Sequence, residues 1–156
     1  MLQVLDQFPF LFYGEYFTVA LASDRKVYLP VVGLCQTMGL QTQGQVRRIQ
    51  NNEAVADALV KLTLTWGYGD AAVRERELYC LRLDILPFWM GTIQPSRISD
   101  ETRRKKIILF QREFAAIAWA AFRREILPDE MLAEIESTLP APEQRFLTTL
   151  WSSGRS

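Results

Sequence analysis

Histidine is absent from this chain, and cysteine occurs only twice. Without histidine, a general base working near neutral pH would have to be a carboxylate, lysine or cysteine with a shifted pKa. Cys35 and Cys80 form no CxxC motif, which argues against a zinc site. No nucleophile elbow, phosphate loop or metal-ligand spacing occurs either. The sequence therefore predicts a protein that is not an enzyme and needs no cofactor.

Long apolar segments are also missing. The longest apolar run, near residues 107–122, is interrupted by the polar triplet 111–113, which excludes a membrane span. The apolar stretch Met1–Phe12 lacks a basic n-region and a small-residue cleavage site, so it does not predict a signal peptide. Both cysteines lie in apolar patterns and predict buried free thiols in a reducing compartment. We therefore expect a cytoplasmic protein.

The net charge is zero, but the charges are unevenly distributed. Residues 97–124 contain eight basic and three acidic side chains, whereas residues 125–143 contain six acidic and no basic ones. A basic block beside an acidic one predicts either ion pairs between them or a surface for an acidic partner. The composition is otherwise that of a folded, single-domain globular protein.

Alternating apolar residues predict short β-strands. The second and third strands should form a hairpin, and the fourth and fifth should pair across a turn at 67–70 and an exposed polar loop at 74–77. The predicted strands cover residues 8–12, 17–21, 27–29, 60–66 and 79–83.

Helical spacing and end signals predict the helices. Pro30 suits a first helical turn and Gly39 a helix end. A second short helix, Thr42–Asn52, is predicted to begin with a capping box formed by Thr42 and Gln45. These two helices joined by a glycine turn are similar to a helix-turn-helix outline.

A long helix is predicted to begin after Ser99 as its N-cap. Its apolar stripe should place it at the centre of the core. Together these patterns predict an α+β fold, in which small antiparallel strands and hairpins pack on several helices, with a long central helix near 99–124. The stripe contains Ile107, Phe110, Phe114, Ile117 and Ala121.

Two groups of residues are candidates for nucleic-acid binding. On Thr42–Asn52, arginine could read guanine and the amides could read adenine, although the same pattern fits a solvated helix face. Around the start of the long helix, a basic run spread about 100° per residue suits phosphate contacts, or else a solvated helix end. The candidates are Arg47, Arg48, Gln50 and Asn51 in the first group and Arg97, Arg103, Arg104, Lys105 and Lys106 in the second.

An aromatic–proline segment, Pro87-Phe88-Trp89, precedes the long helix. Its rings could stack on a base or could pack in the core.

The pattern of residues that follows the long helix predicts an apolar surface for packing or for protein association. Pro128 and Pro142 should begin two short amphipathic helices. Their apolar faces could pack on the domain, make a homodimer or hold another protein. These faces contain Met131, Leu132, Ile135, Phe146, Leu147, Leu150 and Trp151.

Four segments carry a resemblance to a known family. They read VYLPVVGLCQTMGL at 27–40, QVRRIQNN at 45–52, LRLDILPFWMGTIQPSR at 81–97 and FQRE at 110–113. In this order and spacing, the chain resembles the N-terminal domain of phage antirepressor proteins over about residues 8–122. The predicted hairpin and the helix that follows it, at the front of the chain, are also similar to Bro-type viral domains, which are regarded as DNA-binding.

The resemblance implies a phage or prophage regulatory protein that relieves repression, either by contacting a repressor or by binding nucleic acid. It implies no catalytic residue. We expect a DNA-binding transcription regulator or antirepressor-like protein in the bacterial host, with double-stranded DNA, a repressor protein or both as partners. The alternative is an interaction module that captures a repressor without binding DNA. The expected division is an antirepressor N-terminal-like domain at 1–124 and a helical extension at 125–152.

Overall fold

The computed structural model describes residues 1–12, 14–67 and 72–138. In this part of the chain, five β-strands and five α-helices form an α+β fold, as predicted. The strands are β1 (Val4–Phe12), β2 (Glu15–Ala22), β3 (Val27–Pro30), β4 (Leu59–Trp66) and β5 (Arg74–Arg82). The helices are α1 (Val31–Met38), α2 (Thr42–Gln50), α3 (Leu86–Gly91), α4 (Glu101–Ile126) and α5 (Asp129–Thr138). Short 3₁₀ turns occur at Ala56–Ala58, Leu83–Ile85 and Pro95–Arg97.

The strands form one antiparallel sheet in the order β1-β2-β3-β5-β4. The predicted β2–β3 hairpin is confirmed, and it turns through Arg25, whose φ of 66° lies in the left-handed region. The predicted pairing of the fourth and fifth strands is also confirmed. The sheet therefore follows chain order except that β5 lies between β3 and β4.

The two edge strands of the sheet approach each other. The side-chain amide of Gln7 on β1 donates a hydrogen bond to the Thr65 carbonyl oxygen at 3.1 Å and accepts one from the Thr65 N–H at 2.9 Å. A glutamine amide carries the same kinds of donor and acceptor as a peptide group. The Gln7 side chain therefore makes the two hydrogen bonds to β4 that the backbone of a neighbouring strand would otherwise make. The sheet consequently curls so that its open edge is bridged.

The two faces of the sheet bury different clusters. Because successive side chains on a strand point to opposite faces, Leu29 and Leu81 pack towards the helices, whereas Tyr28 and Cys80 pack on the other side. The larger cluster joins the sheet to α1, α2, α3 and the first part of α4. The sheet and these four helices thus share one main core.

Both cysteines are free and buried, as predicted. Burial raises the pKa of Cys35 to about 11 and that of Cys80 to about 12. These thiols are packing residues of the two clusters. None of the helices in the described ranges is long and apolar enough to cross a membrane.

The long helix α4 has 26 residues, which makes it about 39 Å long. Its N-terminal half contributes Ile107 and Phe110 to the main core. Beyond this, Ala121 is exposed, contrary to the predicted stripe, and Arg123 is buried instead. The helix is therefore central to the core over its first half and projects beyond it over its second half.

Three other local predictions were wrong. Residues 74–77 belong to β5, although their polar side chains suggested a loop, because this end of the strand pairs with β4 without entering the core. Leu83 lies in a 3₁₀ turn and not in β5. The N-cap of α4 is Asp100, whose carboxylate accepts a hydrogen bond from the Arg103 N–H, and not Ser99.

The edge bridge can be tested by replacing Gln7 with alanine. We expect a loss of about 1 kcal/mol in the free energy of unfolding, since two hydrogen bonds at a partly exposed position are lost. Urea denaturation would measure the loss, with Gln43→Ala as a control at an exposed glutamine on α2. Equal stabilities of the two variants would contradict the role given to Gln7.

Candidate nucleic-acid interface

Helix α2 is positioned by the turn that precedes it. Gly39 ends α1 in the left-handed conformation with a φ of 72°, and α2 begins three residues later. Val46 and Ile49 are buried against the core, as predicted. The helix therefore lies on the surface with its remaining faces available to solvent or to a partner.

Two adjoining pockets form one groove between α2 and the chain that follows α3. We call this the α2–α3 groove. One pocket, of about 260 Å³, is lined by Arg48, Ile49, Asn51, Asn52, Val55, Ile85, Phe88, Trp89 and Thr92. The other, of about 120 Å³, is lined by Leu40, Gln45, Arg48, Thr92, Ile93, Gln94 and Arg97.

Arg48 stands where the two pockets meet. Its Nη1 donates to the Gln45 Oε1 at 2.8 Å, and its Nη2 donates to the Thr92 carbonyl oxygen at 3.0 Å and to the Thr92 Oγ1 at 2.9 Å. A guanidinium has five N–H donors, so these three bonds fix its plane and leave two donors for a ligand. Arg48 is thus both a structural tie and a fixed cationic group in the groove.

Gln45 has a different role from the predicted one. Its side chain is buried, and its Oε1 accepts hydrogen bonds from Arg48 and from the Trp89 indole N–H at 3.2 Å. The Thr42 side chain makes a hydrogen bond with the Cys35 thiol, and the N-cap position is Gln41 without a side-chain cap bond. The predicted Thr42–Gln45 capping box is therefore wrong, because both side chains bond to groups from other helices.

Helix α3 forms the opposite wall and is held from behind by α4. The Gln111 amide donates to the Met90 carbonyl oxygen at 3.0 Å and to the Ile93 carbonyl oxygen at 2.7 Å. The two aromatic residues of α3 differ in burial, since Trp89 is 3% exposed and Phe88 is 41% exposed. The sequence left open whether these rings stack on a base or pack in the core. Trp89 packs in the core, whereas the Phe88 ring is accessible at the groove.

The basic residues at the start of α4 are mostly engaged within the protein. The Arg104 Nη1 donates to the Ile98 carbonyl oxygen at 3.3 Å. Lys105 pairs with Glu101 at 3.2 Å, and Lys106 pairs with Glu15 at 3.8 Å. The two lysines are 73% and 42% exposed, so these are surface ion pairs, which are weak and are screened by salt.

Arg103 and Arg97 are placed differently. Arg103 is exposed and approaches Gly39, so that a Cβ atom added there would lie 3.5 Å from its Nη1. Gly39 is followed by Leu40, which lines the same pocket as Arg97. The Arg97 Nε makes a long bond of 3.4 Å to the Gln94 Oε1 at the rim of the groove.

The structure thus sorts the candidate residues into groups. Arg48, Asn51 and Arg97 line the α2–α3 groove, and Arg103 lies beside the turn that leads to it. Arg47 and Gln50 are exposed on α2 outside the groove. Sequence reasoning missed Asn52, Thr92 and Gln94 as groove residues, because no local spacing links α2 to the segment after α3. The engaged candidates are Arg104, Lys105 and Lys106.

The candidate association residues lie at the other end of α4. Met131 is 49% exposed, and Leu132 and Ile135 are half-buried on α5. Glu136 joins α5 to α4 by accepting from the buried Arg123 at 3.3 Å and pairing with Arg124 at 3.5 Å. The acidic residue thus pairs with the C-terminal end of α4. Phe146, Leu147, Leu150 and Trp151 lie outside the described residues.

Metal binding finds no support in the described part of the chain. No three histidine, cysteine, aspartate or glutamate side chains come together there in a way that could hold an ion.

The two neighbouring arginines of α2 should differ in their effect on stability. Arg48→Ala removes three hydrogen bonds and should lower the free energy of unfolding by about 1–2 kcal/mol. Arg47→Ala removes an exposed side chain and should change it by less than about 0.5 kcal/mol. Chemical denaturation of both variants provides the comparison, and equal losses would contradict the anchoring role of Arg48.

Comparison with known proteins gives one match. The family model described as the P22_AR N-terminal domain matches residues 10–126, which include the end of β1, strands β2 to β5, the α2–α3 groove and all of α4. No curated protein and no solved structure matches the chain. The match covers well over half of the chain and confirms the resemblance to phage antirepressor N-terminal domains. The chain therefore belongs to the P22_AR N-terminal domain family.

Proposed function

We propose that this protein is a DNA-binding regulator of phage or prophage genes that acts in the cytoplasm of the bacterial host. The observation that carries the proposal is the lining of the α2–α3 groove. Arginines from two distant segments, Arg48 and Arg97, meet there among amide and hydroxyl side chains, and no carboxylate is among the described lining residues. Such a surface suits an anionic ligand with hydrogen-bonding groups.

The exposed face of α2 supplies the second element of the proposal. Arg47 and Gln50 are three residues apart and therefore project from one side of the helix. Arginine pairs with guanine and glutamine with adenine in the major groove. In this arrangement α2 reads base edges, while Arg48, Arg97 and Arg103 contact phosphates.

The number of phosphate contacts follows from this arrangement. It assigns three arginines to phosphate, namely Arg48, Arg97 and Arg103. Each neutralised phosphate contributes about −0.9 to the slope of log affinity against log salt. With three phosphate contacts, the expected slope is about −3.

A second candidate function is association with a protein, and the exposed end of α4 favours it. Trp119, Phe122 and Ile126 are spaced by three and four residues and are 42%, 64% and 63% exposed. This is the spacing of a helix that packs on another helix, and Met131 of α5 adds a further exposed apolar side chain. We propose a homodimer through this surface, because one patch can pair with its own copy about a two-fold axis. A captured repressor is the alternative occupant.

The DNA proposal predicts salt-dependent binding that is sensitive to particular arginines. Fluorescence anisotropy with a labelled random-sequence duplex should give affinities that fall steeply as salt is raised. Arg97→Ala should weaken binding and reduce the salt slope by about 1, whereas Arg47→Ala should weaken binding with little change in the slope. Arg74→Ala, at an exposed arginine of β5, should have no effect.

Two results would contradict this proposal. Binding that does not change with salt would exclude phosphate contacts as its source. An Arg74→Ala variant as weak as Arg97→Ala would show that general charge, and not this surface, governs binding. Arg48→Ala is unsuitable as the main variant, since it also disturbs the groove.

The association proposal predicts the mass of the protein in solution. Multi-angle light scattering should give twice the chain mass of 18.0 kDa for the wild type, and the chain mass itself for Phe122→Glu. Tyr16→Glu serves as the control, because Tyr16 is 73% exposed on β2, away from this surface. A wild type of 18.0 kDa would exclude the homodimer. A repressor pull-down with and without Phe122→Glu would then test the alternative.

A further inference from the structure

Phe88 lies at the edge of the larger pocket of the α2–α3 groove with 41% of its surface exposed. Its neighbour Trp89 is buried and donates to Gln45, so the two rings do not share a role. An accessible aromatic face beside a cationic groove is the arrangement on which single-stranded nucleic-acid sites stack bases.

The pocket itself combines an apolar floor with a polar rim. Ile49, Val55 and Trp89 are buried beneath it. Asn51 and Asn52 stand at the rim with side-chain amides. The Asn52 Oδ1 accepts a hydrogen bond from the Ala54 N–H at 3.0 Å, which leaves its amide N–H groups as donors. Such a site offers stacking and edge hydrogen bonds at once.

The volume of the pocket limits what it can hold. At about 260 Å³ it is smaller than the roughly 300–1,000 Å³ of pockets that enclose drug-sized molecules. It therefore suits one flat ring system that belongs to a larger ligand. Arg48 and Arg97 both line the adjoining pocket. A phosphate next to the bound ring would therefore lie beside the Arg48 guanidinium.

We propose that this pocket binds a single unstacked nucleobase, so that the preferred ligand is DNA with an unpaired nucleotide. The inference rests on the proposed DNA-binding function and names the ligand of the same groove. The base stacks on Phe88, Asn51 and Asn52 bond to its edge, and Arg48 contacts the adjacent phosphate with its two remaining donors.

The test compares two probes with the full-length chain. One probe is a fully paired duplex, and the other is the same duplex with one additional unpaired nucleotide. Anisotropy titrations at a single salt concentration should give about tenfold tighter binding to the second probe, within the range expected for one base–aromatic stack.

Variants at Phe88 separate stacking from apolar contact. Phe88→Leu keeps an apolar side chain but removes the ring, and it should abolish the preference for the probe with the unpaired nucleotide. Phe88→Tyr keeps the ring and should retain the preference. Thermal melts should show both variants folded, because Phe88 is 41% exposed and both replacements are of similar size.

The outcomes distinguish this inference from the proposed function. Equal binding of both probes by the wild type would overturn the base pocket and leave the DNA-binding proposal standing. A preference that persists in Phe88→Leu would also overturn it, since the ring would then have no part in recognition. Failure to bind either probe at low salt would overturn both proposals.

Discussion

The buried oxygen of Gln45 is the group on which the functional surface depends. This Oε1 accepts from the Trp89 indole on α3 and from the Arg48 guanidinium on α2. Because the oxygen is buried, losing both donors would leave a polar group unsatisfied at a cost of about 1–3 kcal/mol. Its bond from Trp89 joins α3 to α2 beside the groove, in addition to the burial of Val46 and Ile49 against the core. Arg48 extends the connection to Thr92, just beyond the end of α3.

Glutamine side-chain amides hydrogen-bond between neighbouring elements at three places in this fold. Gln7 bridges the edge strands, Gln45 joins α2 to α3, and Gln111 joins the end of α3 to α4. An amide suits these joints because it supplies both a donor and an acceptor without a charge, so it can replace a missing peptide partner at low desolvation cost. Neutral amide bonds thus join the elements around the groove, and the charged groups within it are Arg48, which also bonds to Gln45 and Thr92, and Arg97.

Helix α4 carries a basic surface at its N-terminal end and an apolar surface at its C-terminal end. Its basic beginning lies near the turn between α1 and α2, and its apolar end carries Trp119, Phe122 and Ile126 away from the sheet. Over a length of about 39 Å, a partner at one end need not obstruct a ligand at the other. The proposed DNA binding and the proposed self-association are thus compatible, and a dimer would present two grooves in a fixed relation.

Local spacing along the sequence was sufficient to predict the α+β class, the β2–β3 and β4–β5 strand pairs, the end of α1 at Gly39 and the presence of α2 and α4. These features follow from alternation, helical period and cap residues, all of which act within a few positions. The family was likewise evident from four short segments, because its motifs are continuous in the chain.

Tertiary structure alone decided which residues form the groove and which charges remain available. Arg47 and Arg48 are equivalent by sequence, yet only Arg48 meets Thr92, 44 positions away. Trp89 and Phe88 are adjacent, yet only Trp89 reaches Gln45, at the same separation. The engagement of Arg104, Lys105 and Lys106 likewise emerges only from their neighbours in space. The physical reason is that hydrogen bonds and ion pairs depend on distances of about 3–4 Å, which packing sets between segments that no local pattern connects.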